Sequence, residues 1–259
     1  MPRFKVTLEY EGTRYSGWQV QKNARTVQGE LLHASRTIFK TTDLEFLGSG
    51  RTDAGVHALQ QVAHLDVQTV LAPEIIRLKL NDELPADINI LDVRKASPDF
   101  HARHDAVARS YCYQISRRRT ALGKRLVWWI KDPLDIEKMK RAAKIFEGMN
   151  NFQSFTADDP EEKSTTVLVE RVECTEAGAL VLIRIIGSHF LWKMVRQIVG
   201  MLVEVGRGKT TEEDIRTFLR KPSDEPAKFT APPSGLFLEC VYYRGDRRLE
   251  KLEPVLFVR

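Results

Sequence analysis

The chain has 259 residues, of which 42% are hydrophobic and 29% charged, and its formal net charge is +5. This composition excludes a largely disordered chain, and the length suits one large domain or two small ones. The sequence pI of about 9.1 is compatible with a nucleic-acid partner, although an enzyme of small molecules could have the same value.

No segment approaches the roughly 18 consecutive apolar residues of a membrane span. Residues 1–5 lack the apolar centre of a signal peptide. The three cysteines are far apart and odd in number, which argues against a disulfide framework. We therefore expect a cytoplasmic protein that has no membrane partner.

The first half of the chain predicts a strand, a helix, two strands, a second helix and a fourth strand. Thr26 is placed to cap the first helix, and Pro73 is placed to open the second. Alternation of apolar and polar residues predicts a strand at residues 5–10. We interpret residues 44–48, 56–67 and 88–93 as the other strands. This order of elements is the ferredoxin-like pattern.

The same order recurs in the second half, without any repeat of the sequence itself. We therefore expect an α+β protein of two ferredoxin-like (βαββαβ) halves, whose antiparallel sheets flank a central basic cleft. The N-terminal domain would span residues 1–105 and the C-terminal domain residues 106–259. The predicted strands are 110–116, 166–175, 180–186 and 236–243, and the helices are 135–146, 191–205 and a short one capped by Thr211.

The segment GRTDAGVHA at residues 50–58 places a cation and a carboxylate between two glycines. In extended backbone, side chains two residues apart share a face, so Arg51 and Asp53 can point into one cleft. The guanidinium favours the ionised carboxylate, and the glycines permit backbone angles or close approaches that other residues forbid. Asp53 is therefore a candidate catalytic residue, although most such pairs are surface ion pairs of little consequence.

This segment, together with other short segments in a fixed order, resembles the TruA-type tRNA pseudouridine synthases. The resemblance extends from Tyr10 to Tyr243. The other matching segments are YEGT at 10–13, Tyr15, GWQ at 17–19, TVQG at 26–29, LPADI at 84–88, FHAR at 100–103, RSYCY at 109–113, FL at 190–191, MVR at 194–196, IVG at 198–200, AP at 231–232, GL at 235–236, Val241 and Tyr243.

The resemblance implies the pseudouridine synthase fold and the isomerisation of uridine to pseudouridine in the anticodon stem-loop of tRNA, at nucleotides 38, 39 and 40. It implies that Asp53 is catalytic and that Arg196 pairs with it. Arg51 would help to displace the flipped nucleotide, Tyr111 would stack on the target base, and Leu236 would form a wall of the uracil pocket. Taken alone, Tyr111 and Leu236 suit a strand core, and Arg196 suits a solvated helix face. The resemblance also implies a homodimer.

The implied reaction consumes nothing and oxidises nothing, so we expect no cofactor. The sequence has no phosphate-binding Gly-Lys loop, no dinucleotide-binding glycine pattern after a strand, and no cysteine pair with metal spacing. His101 and His104 have no evident third ligand. We therefore interpret their segment as a polar loop and expect no metal.

Two further surface features stand out. The densest basic run, Arg117 to Arg119 with Lys124 and Arg125, follows the Tyr111 strand. We expect it to meet tRNA phosphates, with a solvated loop as the alternative. The second feature is a departure from the family pattern at residues 189–193, where an imidazole, an indole and an ammonium group add bulk and charge.

Two rival functions are open. The main one is a non-catalytic tRNA-binding module on the same scaffold, which would have no need of Asp53. The other is a hydrolase that uses Asp53 as general base, for which the segment offers only His57 as a partner. The position of His57 within a predicted strand favours a structural role.

Overall fold

The computed structural model describes residues 1–159, 161 and 164–258. These residues form a mixed α+β chain with mostly antiparallel strands, as predicted. The helices are α1 Val27–Phe39, α2 Pro73–Glu83, α3 Ile136–Ile145, α4 Met194–Gly206 and α5 Glu212–Arg220. The strands are β1 Arg3–Tyr10, β2 Leu44–Gly48, β3 His57–Val67, β4 Ile88–Ala96, β5 Ala108–Ser116, β6 Trp128–Trp129, β7 Gly148–Asn151, β8 Thr166–Ala177, β9 Leu180–Gly187 and β10 Leu236–Tyr242.

The chain divides into two compact units. The first comprises Met1–Val107 and Phe237–Asp246, and the second comprises Ala108–Leu236 and Arg247–Arg259. The first segment of the first unit ends at Val107, two residues beyond the domain boundary expected at residue 105. The residues of β10 from Phe237 onward fall in the first unit rather than in the second.

In the first unit, β1 pairs with β3 and β4, and β2 pairs with β3, all antiparallel. This is the ferredoxin-like arrangement, with α1 and α2 as the two helices. Along β1 every second residue is buried, because one face of the strand packs into the core. The long strand β3 serves two partners, since residues 63–67 pair with β2 whereas His57 and Ala58 pair in parallel with β10.

In the second unit, β9 lies between β5 and β8, again antiparallel. Two short strands were not predicted. β7 extends this sheet by pairing with β8, and β6 pairs in parallel with β5. Their local sequences, GMNN and WW, are too short to show alternation, so pairing with longer strands defines them.

The start of α4 differs from the prediction by three residues. The apolar pattern beginning at Leu191 suggested a helix from that point, but Lys193 adopts the left-handed conformation with φ 63°. This geometry is rare outside glycine and cannot continue a helix backward. The helical caps at Thr26 and Thr211 form as predicted.

Every helix within the described part of the chain is too short or too polar to span a lipid bilayer.

Candidate active site

Asp53 occupies a tight turn immediately before β3, in the first unit. Its carbonyl accepts a hydrogen bond from the Val56 N–H at 3.1 Å, and the side chain is half-buried. Gly55 has φ 78°, the left-handed conformation that this position of such a turn requires. The expectation of special backbone geometry therefore holds for Gly55. It fails for Gly50, which has no positive φ and where a Cβ would meet no atom within 4 Å.

Residues 10–18 hold the backbone just before Asp53. The Trp18 N–H donates to the carbonyl of Thr52 at 3.0 Å. A Cβ on Gly17 would come 2.6 Å from the same carbonyl oxygen, so only glycine permits this approach. The hydroxyls of Thr52 and Tyr10 are 2.8 Å apart in a buried hydrogen bond. Two segments that the sequence showed only as family matches, at residues 10–13 and 17–19, thus contact Thr52, the residue next to Asp53.

The backbone just after Asp53 is held in the same way. A Cβ on Gly12 would lie 1.9 Å from the carbonyl oxygen of Val56. The Gly12 N–H donates to Nδ1 of His57 at 3.0 Å, and the buried imidazole stacks on Phe237 at 4.8 Å between ring centroids. Since Nδ1 of His57 accepts this bond, the imidazole anchors the loop, as its strand position suggested.

Tyr15 connects the Asp53 turn to the turn at residues 85–88. Its carbonyl accepts from the Gly55 N–H at 3.3 Å, and its hydroxyl donates to the carboxylate of Asp87. Burial and the bond to Asp87 raise the pKa of the Tyr15 phenol well above its ordinary value. The Arg25 guanidinium lies 4.8 Å from the centre of the Tyr15 ring. The phenol is therefore a fixed hydrogen-bond donor beneath the turn.

Arg51 lies on the exposed side of this loop. Its Nε donates to the side chain of Gln19 at 3.2 Å. Arg51 and Asp53 are thus both carried by the short segment between β2 and β3. They differ in exposure, since the guanidinium is exposed and the carboxylate half-buried.

Tyr111 and Tyr113 lie two residues apart on β5 in the second unit, and the structure gives them different environments. Tyr111 is half-buried, with Phe190 packed edge-on against its ring at 4.9 Å. Tyr113 is fully buried and donates to the carbonyl of Pro232 at 2.7 Å. Burial raises the pKa of the Tyr113 phenol well above its ordinary value. Tyr113 is therefore the core residue of the pair.

Arg196 lies in the first turn of α4 and is half-buried. Its Nε donates to the carbonyl of Ala231 at 2.7 Å, and its own carbonyl accepts from the Ala231 N–H at 3.0 Å. A Cβ on Gly200 would lie 1.6 Å from the carbonyl oxygen of Phe229. The helix pattern alone suggested a solvated Arg196. In the structure this residue and its helix instead contact residues 229–231.

Leu236 is 4% exposed and begins β10. The residue before it, Gly235, packs against the backbone of Gln114 and the ring of Tyr113, each about 2.7 Å from where a Cβ would lie. Residues 231–236 therefore connect the helix of Arg196 to the strand of Tyr111 within the second unit.

The basic run behind β5 is exposed at all five positions. Arg117 forms an ion pair with Glu176 at 2.5 Å and donates to the carbonyl of Gly178. Arg119 lies 5.9 Å from the ring centre of Trp129.

The polar loop expected around His101 is confirmed. Nδ1 of His101 accepts the backbone N–H groups of Arg103 and His104 at 3.1 and 3.2 Å. Within the described residues, possible metal ligands also gather at Glu45, His64 and Asp66, within 4.8 Å of one another. Arg3 already binds both oxygens of Asp66, at 2.7 and 2.5 Å. We interpret this group as an ion pair beside a buried imidazole.

The five predicted site residues are thus divided between the units. Arg51 and Asp53 belong to the first, whereas Tyr111, Arg196 and Leu236 belong to the second. Sequence reasoning missed the supporting roles of Tyr10, Gly12 and Tyr15. The signal that could have found them was their place in the matched N-terminal segments.

Comparison with known proteins defines the class. The family model described as tRNA pseudouridine synthase matches residues 7–105 and 142–244. These ranges include four of the five site residues, and Tyr111 lies outside them. The chain belongs to this family of RNA-modifying isomerases and has the pseudouridine synthase fold.

Two curated relatives of this chain have the same protein name. The tRNA pseudouridine synthase A of Geobacillus sp. (strain WCH70) is 39% identical over 243 residues, covering 93% of this chain and 98% of the relative. The Brucella ovis protein of the same name is 39% identical over 248 residues, with 94% and 98% covered. A chain of the solved Cbf5-Nop10-Gar1 complex has 13% identity and a TM-score of 0.33 over 77% of this chain and 54% of its own, too weak a likeness to bear on function.

Proposed function

We propose that this protein isomerises uridine to pseudouridine in the anticodon stem-loop of tRNA, at nucleotides 38, 39 and 40, with Asp53 as the catalytic carboxylate. The observation that carries the proposal is the construction of the Asp53 turn. Hydrogen bonds and glycine contacts from residues 10–18 hold the backbone on both sides of this half-buried carboxylate. Such fixed placement is what an active-site group needs and what a surface ion pair does not.

The chemistry requires no second substrate. The bond from ribose C1′ to N1 of uracil breaks, the ring turns, and C1′ bonds to C5. The C5 proton leaves and N1 gains a proton, so atoms and charge balance. Asp53 could add to the ribose, add to the base, or remove a proton from the sugar, and each route uses an ionised carboxylate next to the nucleotide.

A uridine inside a stem has to leave the helix before it can react, which costs a few kcal/mol. We assign Arg51 to displacing the nucleotide, since its exposed guanidinium lies two residues from Asp53. Tyr111 would stack on the extruded base, consistent with a ring that is half-buried and supported edge-on by Phe190. Arg196 would pair with Asp53, and Leu236 would line the uracil pocket.

The partner is then tRNA, which the protein would bind through its phosphates. Exposed cations of the run Arg117–Arg125 can supply some of these phosphate contacts. A homodimer is the assembly that family membership suggests, and light scattering of the purified protein tests it directly. Three free cysteines fit a reducing, cytoplasmic location.

The rival hydrolase is disfavoured, because Nδ1 of His57 already accepts the Gly12 N–H and the ring is stacked on Phe237. The rival binding module predicts tRNA binding without turnover. A binding module would have no need of a carboxylate whose backbone is held on both sides by hydrogen bonds and close glycine contacts.

The test is tritium release from C5-tritiated uridine in an unmodified tRNA transcript, with a chelator present and no nucleotide added. The wild type should release tritium, and Asp53→Asn should release none while binding tRNA within about threefold of the wild type. Asp43→Asn, an exposed carboxylate in the same unit, is the control and should retain full activity.

Two results would overturn the proposal. Product formed by Asp53→Asn would remove this carboxylate from the reaction. Tight tRNA binding by a wild type that releases no tritium would favour the binding module.

A further inference from the structure

The segment at residues 189–193, noted above as a departure from the family pattern, presents an aromatic side chain to solvent. The Trp192 indole is 51% exposed, although it lies within four residues of Arg196. Aromatic residues such as tryptophan are enriched at binding surfaces relative to the rest of a protein surface.

The backbone under this indole is rigidly held. The Trp192 N–H donates to a carboxylate oxygen of Asp158 at 2.8 Å. Its carbonyl accepts from the Ala157 N–H at 3.1 Å and from the Thr156 hydroxyl at 3.2 Å. The next residue, Lys193, is fixed in the left-handed conformation. A rigid backbone under an exposed ring means that little conformational freedom is lost when a partner binds.

The charges around the ring indicate the chemistry of the partner. The Lys193 ammonium lies 4.6 Å from the indole centre. Arg109 donates to the carbonyl of Ser188, the residue just before this segment, at 3.1 Å. A flat aromatic face beside an ammonium group suits a nucleotide, whose base stacks and whose phosphate pairs, better than it suits an apolar protein surface. The nearby Asp158 carboxylate is engaged by the Trp192 N–H.

We propose that Trp192 and Lys193 form a nucleotide-binding platform, in which the indole stacks on an RNA base and the ammonium contacts a neighbouring phosphate. This inference rests on the proposed function, because it takes tRNA as the ligand. It adds a contact to the RNA outside the five residues assigned to the reaction itself.

The experiment compares the binding of an unmodified tRNA transcript to Trp192→Ala, Trp192→Phe and the wild type. Trp192→Ala should raise the dissociation constant about fivefold to a hundredfold, the range for loss of one base–aromatic stack. Trp192→Phe keeps an aromatic face and should stay within about threefold of the wild type. Phe257→Ala, which removes an exposed aromatic ring from the C-terminal segment, is the control and should bind normally.

Two further readouts separate stacking from a general structural effect. The protein has four tryptophans, and tRNA should quench less fluorescence in Trp192→Phe than in the wild type. Lys193→Ala should lower the slope of log K against log salt by about one.

The inference fails if Trp192→Ala binds tRNA as tightly as the wild type. A change in assembly state with unchanged RNA affinity would instead assign the ring to a protein contact and would also overturn it. Tritium release by the wild type is measured in parallel. If the wild type releases no tritium but Trp192→Ala still weakens tRNA binding, the result would count against the proposed reaction and not against the platform.

Discussion

Gly12 and Val56 touch through their backbones, since a Cβ on Gly12 would lie 1.9 Å from the Val56 carbonyl oxygen. Val56 closes the turn that carries Asp53 by donating its N–H to the Asp53 carbonyl. The position of the carboxylate therefore depends on the absence of a side chain at a residue far away in the sequence.

Gly12→Ala should displace this turn, because the added methyl group meets backbone atoms that cannot rotate away. We expect kcat to fall at least tenfold, with tRNA affinity within about threefold of the wild type. Gly50→Ala is the matched control, because Gly50 lies on the loop that carries Asp53. A Cβ there meets no atom within 4 Å, so its kcat should remain within about twofold. Equal effects of the two substitutions on kcat would refute a specific role for the Gly12 contact.

The buried hydroxyl pair of Tyr10 and Thr52 should show energetic coupling. Removing one hydroxyl leaves the other without this partner, at a cost of about 1–3 kcal/mol, whereas removing both costs less than the sum. Tyr10→Phe, Thr52→Val and the double variant should therefore be non-additive in their free energies of unfolding, measured with urea. Additivity within about 0.3 kcal/mol would show that the pair contributes nothing specific.

Neighbouring arginines of the basic run should contribute unequally to tRNA binding. Arg118 donates to the backbone carbonyl of Arg119, which is a neutral acceptor. Arg117 is neutralised by Glu176. Arg118→Ala should reduce the slope of log K against log salt by about one, and Arg117→Ala by less. A larger effect at Arg117 would mean that RNA displaces Glu176 from it.

His64 should make the first unit less stable in mild acid. Burial, with Arg3 nearby, lowers the pKa of His64 to about 4, against about 6.5 in an unfolded chain. Between these two values the unfolded chain binds more protons, so the unfolding free energy decreases as the pH falls from about 6.5 to about 4. Asp66, His101 and Asp105 also face this imidazole.

His64→Asn retains an acceptor for the Ala102 N–H, which His64 Nδ1 binds at 3.2 Å. Its unfolding free energy should vary less with pH across that window than the wild-type value does. His33→Asn, on the exposed side of α1, should leave the slope unchanged. If His64→Asn has the same slope as the wild type, other groups account for the acid sensitivity.

Local patterns were enough to predict most elements of this fold. The alternation in β1, the apolar run of β9 and the caps of α1 and α5 lie within a few consecutive residues, where the signal is local. The short strands β6 and β7 escaped prediction, because pairing with distant residues is what makes them strands. The start of α4 was misplaced, because the conformation of Lys193 interrupts an apolar pattern that continues through it.

In the candidate site, too, local motifs were predictable from the sequence, whereas contacts between distant residues were not. The sequence by itself determined the family and predicted Arg51, Asp53, Tyr111 and Arg196 as candidate site residues, because short motifs carry each of them. Only the tertiary structure decided that Gly12 and Gly17 touch the Asp53 loop, that Tyr113 is buried while Tyr111 is half-buried, and that Arg117 is paired. Those facts depend on contacts between residues distant in the chain, and the periodicity of a single segment does not encode which distant segment it will meet.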